Sequence, residues 1–469
     1  MWSLLIFFML ISFSILGSGY WLPTFGPRST ARGSAFIAKA DDLTAVNINP
    51  ANMIKFKGLN TFVSLATINT RGSVFYYNRP FVENPEYPID DRTTYNKEIL
   101  NIPDLFFNPT VVISHDFGLK KWNFSFAAYG PYAPDYSYDK KCSTKKQPLC
   151  PNRYSLYESD ITLANFQLTA AYQILPNLSA GIGLKNSYIN FRYNLDIIAA
   201  GGELGTLMDN QAREGKSDVN VDFDVSDYIN PNFNFGLTYQ FQKFTFAFHY
   251  QSPIDVDADG TYKSKIYSTS EVLINAETEI VGNDMNVKLN LPHVFGIGIM
   301  FEEPNFFNVE VDFKYEMWSV HKEVVIDLKN SIAKMSSAFG DIKLHKIVQT
   351  KKWEDTFTLS LGGDMFLNQL FTLSMGCFYE KGAIPDEYYD SSIIDGDKYG
   401  VGLGLTYKWT FITFYTSFSY ITFDQKDIIN SKVYPGNPME YDYPKDFIVG
   451  NGRYKTDMFI FSTGVNGKF

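Results

Sequence analysis

Val309-Glu-Val-Asp-Phe-Lys-Tyr-Glu-Met317 is apolar at every odd position and charged at every even one. Side chains of a strand alternate between its two faces, so this run has one apolar and one charged face. The same period of two appears in Phe244, Phe246, Phe248 and Tyr250, and again in Val401, Leu403, Leu405 and Tyr407. Many two-faced strands in one long chain suggest a sheet closed on itself in a membrane, with alternate side chains towards lipid. The fold class expected is all-β: a transmembrane antiparallel barrel of about 14 strands, an even number as bacterial single-chain barrels require. The strands are expected near 59–77, 109–118, 121–131, 158–175, 177–197, 219–240 and 243–264. The second half adds 286–302, 305–327, 353–366, 369–380, 398–409, 410–424 and 454–469.

The connections come in two sizes. Short turns such as Leu175-Pro-Asn177, Gln242-Lys243 and Leu367-Asn-Gln369 alternate with long polar stretches at 78–108, 132–157, 199–217, 330–352, 381–398 and 425–453. Short inner turns and long outer loops are what an outer-membrane barrel gives, and a soluble β-sandwich fits them less well. Aromatics at 17% suit the girdles at the two membrane interfaces. Residues 1–19 carry an apolar run followed by Gly17-Ser18-Gly19 and read as a secretory signal peptide, although the n-region has no Lys or Arg. Residues 20–57 are not strand-like and form a second unit, with a short helix expected about 31–40, and residues 58–469 make the barrel. The expected location is the outer membrane of a Gram-negative-type bacterium, with outer-membrane lipid around a monomer. Balance between 41 basic and 51 acidic residues, net -10, argues against nucleic acid as a partner.

Cys142 and Cys150 flank a polar, Pro-bounded run, and in an exported protein that spacing reads as a local disulfide; a metal site would need further ligands nearby. Cys377 lies within an alternating strand and reads as a packing residue. Asp255-Val-Asp-Ala-Asp259-Gly260 begins like a calcium loop, but its twelfth position is Ile266, so an acidic strand edge or turn is the better reading and no metal is expected. Gly400, Gly402 and Gly404 suit the inner face of a crowded barrel strand. The five His stand in no nucleophile–base motif, and neither an enzyme nor a cofactor is expected.

Ala40-Asp-Asp-Leu-Thr-Ala-Val-Asn-Ile-Asn-Pro-Ala51 resembles the N-terminal hatch of the outer-membrane transporters of long-chain fatty acids and hydrocarbons, the OmpP1/FadL/TodX family. Arg153-Tyr154, Leu291-Pro292, Trp318, Trp353-Glu-Asp-Thr-Phe357 and Ile384-Pro-Asp-Glu387 with Asp395-Gly-Asp397 agree in order and spacing. The resemblance implies a barrel plugged by the hatch and passive uptake of hydrophobic molecules such as long-chain fatty acids. It also implies release through a lateral gap at a kinked strand. On that reading Tyr20, Trp21, Leu22 and Phe25 are candidates to line the substrate site or to pack the hatch on the wall. Arg192, or Lys351 and Lys352, is a candidate to meet a carboxylate. Asp41, Asp42, Asn49, Pro50 and Ala51 would form the hatch, with Asn49-Pro-Ala51 as a buried turn. Gly130 and Pro131 interrupt the third strand and would mark the gap, or simply end the strand before the cysteine loop. The alternatives are a general porin, which the segment 20–57 speaks against, a surface-exposed adhesin or binding barrel using its long loops, and a membrane hydrolase.

Overall fold

The computed structural model describes residues 19, 24–76, 98–100, 105–130, 136–138, 150, 152–199, 217–267, 270–275, 277–336, 340–438 and 448–469. Fourteen strands close an antiparallel barrel: β1 (Asn60–Tyr76), β2 (Leu105–His115), β3 (Trp122–Tyr129), β4 (Glu158–Leu175), β5 (Leu178–Ile198), β6 (Asp218–Phe241), β7 (Phe244–Gln251), β8 (Val294–Glu303), β9 (Phe307–Glu316), β10 (Thr356–Phe366), β11 (Phe371–Glu380), β12 (Lys398–Trp409), β13 (Ile412–Phe423) and β14 (Gly452–Lys468). Each pairs with its neighbour in sequence, and the ring shuts where Asn60 to Tyr76 of β1 meet Lys468 to Gly452 of β14. That closure pairs the first and last strands over their whole length, as a barrel in hydrocarbon requires.

Three expected strands are shorter in the barrel than their alternation suggested. The run 243–264 breaks after Gln251, at Ser252-Pro253, and resumes as Ile254–Ile266. The run 286–302 breaks at Pro292-His293, leaving Asp284–Leu291 outside the ring. Proline has no N–H to give a ladder, which explains both stops. The run 305–327 breaks at a 3-10 turn, Trp318–Val320, before Glu323–Asp327. These outlying pieces pair with one another and with the first half of β6, raising the wall on one side.

The chemistry of the two faces reverses along this taller wall. In the lower part of β6 Asn230, Asn232, Asn234 and Thr238 are buried, while Phe233, Tyr239 and Phe241 are exposed. In its upper part Val219, Val221, Phe223 and Val225 are buried, and Asp222 and Asp224 face outwards. A bulge makes the change. Ser187 pairs with Asn230 and Ile189 with Asp227, so Tyr228 and Ile229 oppose the single residue Tyr188. One extra residue shifts the parity of everything beyond it. Below the bulge the barrel is apolar outside and polar inside, as lipid demands; above it the wall is polar outside and apolar inside, as water demands.

Candidate functional site

Residues 24–58 lie inside the barrel. Helix α1 (Gly26–Ala31) starts with Pro27 in its first turn and ends where Gly33 and Ser34 take left-handed backbone angles. The helix therefore lies before the expected span 31–40, and the chain after Arg32 runs as turns. These turns cannot satisfy their own polar groups, so the wall does it. Asp312 accepts the N–H groups of Phe36 and Ile37 at 2.7 and 2.8 Å, and Glu310 that of Ala38 at 2.6 Å. Arg32, fully buried, binds Glu310 and Asp364 at 2.8 Å each and Asn308 at 2.7 Å. Arg28 joins Asp364 at 3.0 Å to Asp41 at 2.8 Å. Burial acts to raise the Asp41 carboxyl, but Arg28 and Lys39 hold it below its ordinary value. After α2 (Ala45–Ile48), Asn49 accepts from the Ala51 N–H and donates to the Ile37 carbonyl at 2.9 Å and to Thr238 at 3.0 Å. Asn49, Pro50 and Ala51 are all buried.

Shape holds the segment as well as charge. Gly362, Gly376 and Gly402 stand side by side on β10, β11 and β12, facing inwards. A Cβ on Gly376 would lie 2.1 Å from the Arg32 carbonyl oxygen, and one on Gly402 2.1 Å from that of Thr30. The three form a trough without side chains that admits the backbone of 30–32. Gly181 does the same beneath Pro50.

Above the bulge the inward apolar residues of the raised wall form one buried cluster. Within it Phe191, Leu195, Phe223, Val287, Leu289, Val324 and Ile393 line a cavity. Lys351 and Asp390 stand in its wall, 3.7 Å apart and both nearly buried. A second, almost wholly apolar space adjoins it, sharing Leu195, Phe223, Ile326 and Gln349. The same cluster includes Ile161 and Leu163 of β4. Opposite these, β3 stops. Its ladder ends at Tyr129, paired with Thr110 and Asn165. Asn108 then donates to the Gly130 carbonyl at 2.6 Å, and pairing along β4 resumes at Ser159 with Tyr136. Among the described residues, none pairs with residues 160–164 on that side of β4.

The family model of the outer membrane protein transport proteins, OMPP1/FadL/TodX, matches residues 9–457. The chain belongs to that family. As an OMPP1/FadL/TodX protein it is located in the outer membrane. It is 23% identical over 269 residues to the long-chain fatty acid transport protein of Escherichia coli O6:H1, a match spanning 54% of this chain and 57% of that relative's length. Its fold is similar to that of a Pseudomonas aeruginosa FadL homologue, with a TM-score of 0.72 at 14% identity over 96% of this chain and 100% of the other. The Ralstonia pickettii toluene transporter TbuX gives a TM-score of 0.63 at 14% identity over 96% and 99%.

Tyr20, Trp21, Leu22, Pro131 and Cys142 lie outside the described residues, and Cys150 is buried. Phe25 is half-buried, packs on Tyr129 at 5.0 Å and lines a lower, polar cavity. Arg192 corrects an expectation. It does not turn inwards but lies on the outer face, 58% exposed, bound to Asp224 at 2.8 Å. It sits above the bulge, where the outward positions carry the polar side chains. Asp257 and Asp259 share that outer face, bound to Lys288 and Lys329. Nothing in the local sequence singles out Arg28, Arg32 or Asp364 as site residues. The signal for Glu310 and Asp312 was the charged face of 309–317, which is the inner face.

Asp42 carries a measurable consequence. It is fully buried, and its Oδ1 accepts from the N–H and hydroxyl of Thr44, whereas its Oδ2 has no hydrogen-bond partner. Burial pushes its carboxyl up to about 6; the bonds from Thr44 act against this and the Asp41 charge adds to it. A carboxyl that binds its proton more readily when folded costs stability once ionised, so this cost grows as pH rises from the ordinary carboxylate range to about 6 and is level above. Asp42→Asn keeps the Oδ1 acceptor and removes the charge. It is expected to stabilise the protein at pH 7 by on the order of 2 kcal/mol, with the gain fading towards pH 4. Urea midpoints at the two pH values check this; equal midpoints for variant and parent at pH 7 would contradict it.

Proposed function

We propose that the chain is a passive channel for hydrophobic molecules, long-chain fatty acids or hydrocarbons, across the outer membrane. The observation that carries the reading is the apolar cluster above the bulge, which runs without a break to Leu163, beside the interruption of β3. A ligand of ~20 carbons held there is out of water, each buried methylene contributing about 0.8 kcal/mol. Straight descent through the lower barrel would take it past a polar wall and the polar segment 24–58. A sideways step past Gly130 instead leads from apolar interior to apolar lipid. Segment 24–58 acts in this scheme as the hatch, and Lys351 offers an ammonium group in the upper cavity to ligands that end in a carboxylate. The relatives named above as transport proteins for a long-chain fatty acid and for toluene support both ligand classes.

The test is to close the gap. Gly130→Val with Pro131→Thr restores two ladder positions, and a Cβ at Gly130 meets only the Asn108 amide at 3.1 Å and the Leu163 carbonyl at 3.3 Å. Uptake of a radiolabelled fatty acid is expected to fall by about tenfold or more, as for any step whose barrier rises by 1.4 kcal/mol. A correctly folded double variant with parental uptake would place the exit elsewhere.

A further inference from the structure

Seven Lys and Arg residues are buried among the described residues: Arg28, Arg32, Lys39, Arg153, Lys185, Lys351 and Lys398. Six of them face a carboxylate in an ion pair. Lys185 does not. Its ammonium, on the inner face of β5 and 4% exposed, is held by two neutral oxygens, Gln251 Oε1 at 2.9 Å and Asn47 Oδ1 at 3.2 Å. An ammonium group out of water without a counter-charge is costly, and neutral acceptors offset that only in part.

The surroundings extend the anomaly. His249, on β7 two residues from Gln251, is 8% exposed, and its Nε2 has no hydrogen-bond partner. His249, Gln251 and Asn47 line one side of the lower cavity. On the other side Lys314 is bound to Glu316 at 2.8 Å, and Asp312 takes the N–H groups of Phe36 and Ile37 on one oxygen while its other oxygen has no hydrogen-bond partner. The Lys185 ammonium stands directly behind Asn47 and Gln251, away from these carboxylates' bonds. That side also adjoins the end of β3. Tyr129, the last residue of β3, places its hydroxyl 3.0 Å from the same Asn47 Oδ1 and 2.6 Å from Gln167, which pairs with Lys185 across β4 and β5.

We propose that Lys185 is a receptor for the carboxylate of an acidic ligand, which displaces Asn47 Oδ1 from the ammonium and accepts a second hydrogen bond from His249 Nε2–H. This rests on the channel function proposed above and adds a rule to it. Asn47 belongs to α2 of the inner segment, so a carboxylate at Lys185 removes one of the bonds that hold that segment to the wall, and a neutral hydrocarbon leaves it in place. Acids and neutral ligands of equal length are then told apart a second time, below the upper cavity.

The test uses Lys185→Met, Lys185→Arg and Asn47→Ala in the full-length protein, with palmitate and methyl palmitate as probes. Lys185→Met is expected to lower palmitate uptake by about tenfold, the worth of one charge-assisted contact, and to leave the ester within about twofold. Lys185→Arg restores the acid. Calorimetry on the purified protein reads the site without transport: palmitate binding weakens in Lys185→Met and tightens in Asn47→Ala, where the competing oxygen is gone. Equal loss of acid and ester, or parental palmitate binding in Lys185→Met, overturns the proposal. Parental protein that binds palmitate but moves neither probe would sink the channel reading and leave this site standing. Should Lys185→Met fail to fold, judged by heat-modifiable migration, Asn47→Ala decides, and unchanged palmitate binding there counts against it.

Discussion

Arg32→Met is expected to turn a nearly closed barrel into an ion-conducting pore. The guanidinium of Arg32 is fully buried and neutralises Glu310 and Asp364, while its Nε donates to the Ala35 carbonyl at 2.9 Å. Methionine keeps much of the length and none of the charge. Asp364 then keeps Arg28, whereas Glu310, beside Asp312, loses its ion-pair partner. Breaking one side of a buried ion pair costs about 3–5 kcal/mol, because the remaining charge is left without compensation. The barrel strands do not depend on that pair, since their ladders close without it. The cost falls on the docked state of segment 24–58, which is expected to leave the lumen. Single-channel recording in planar bilayers should show large, long-lived openings that the parent lacks. A variant as silent as the parent would mean that the charges do not hold the segment in place.

Gly376→Val should give the same conductance by a different route. No charge changes, but the Cβ would sit 2.1 Å from the Arg32 carbonyl oxygen and 2.3 Å from its carbon, with backbone on both sides. Neither neighbour is the end of a flexible side chain, so the segment must lift out of the trough. Overpacking of this kind costs about 1–3 kcal/mol or more. Val401→Gly, at the adjacent outward position of β12, is the control, expected to conduct as the parent does. Periplasm-side proteolysis of residues 24–58 should rise in both Arg32→Met and Gly376→Val. Protection equal to the parent in Gly376→Val would show that the trough tolerates a side chain and that the segment is held by charge alone.

What could be read in the sequence was whatever repeats at short range. Period-two runs such as 309–317 and 401–407 placed the strands, and the alternation of short and long connections set the barrel. The same rule misled where a strand pattern outlived the barrel: Ile254–Ile266 alternates as cleanly as β7, and only Pro253 marks that it has left the ring. Alternation also cannot say which face is inside. Arg192 was expected on the inner face, yet it shares the parity of Ile182 and Leu184, which face outwards on the same strand, and alternation alone does not tell which parity is the outer one. The upper cavity was beyond reach for another reason. Phe191, Phe223, Val287, Val324 and Ile393 come from five separate stretches, and nothing local distinguishes them from any other apolar strand residue. Arg28 and Arg32 were equally silent, since their partners on the barrel wall lie over 270 positions away.

The bulge at Tyr228 and Ile229 has a consequence for energetics. It lies at the level where the two faces exchange their chemistry, so the oily surface of this protein passes from the inside of the wall above to its outside below. A ligand following it is in one phase throughout, as in a wick dipped in two reservoirs. Transfer free energies at the two ends then cancel, and no fuel or gradient of charge enters the balance. Net flow follows the difference in chemical potential between the outer medium and the bilayer, and it reverses when that difference does.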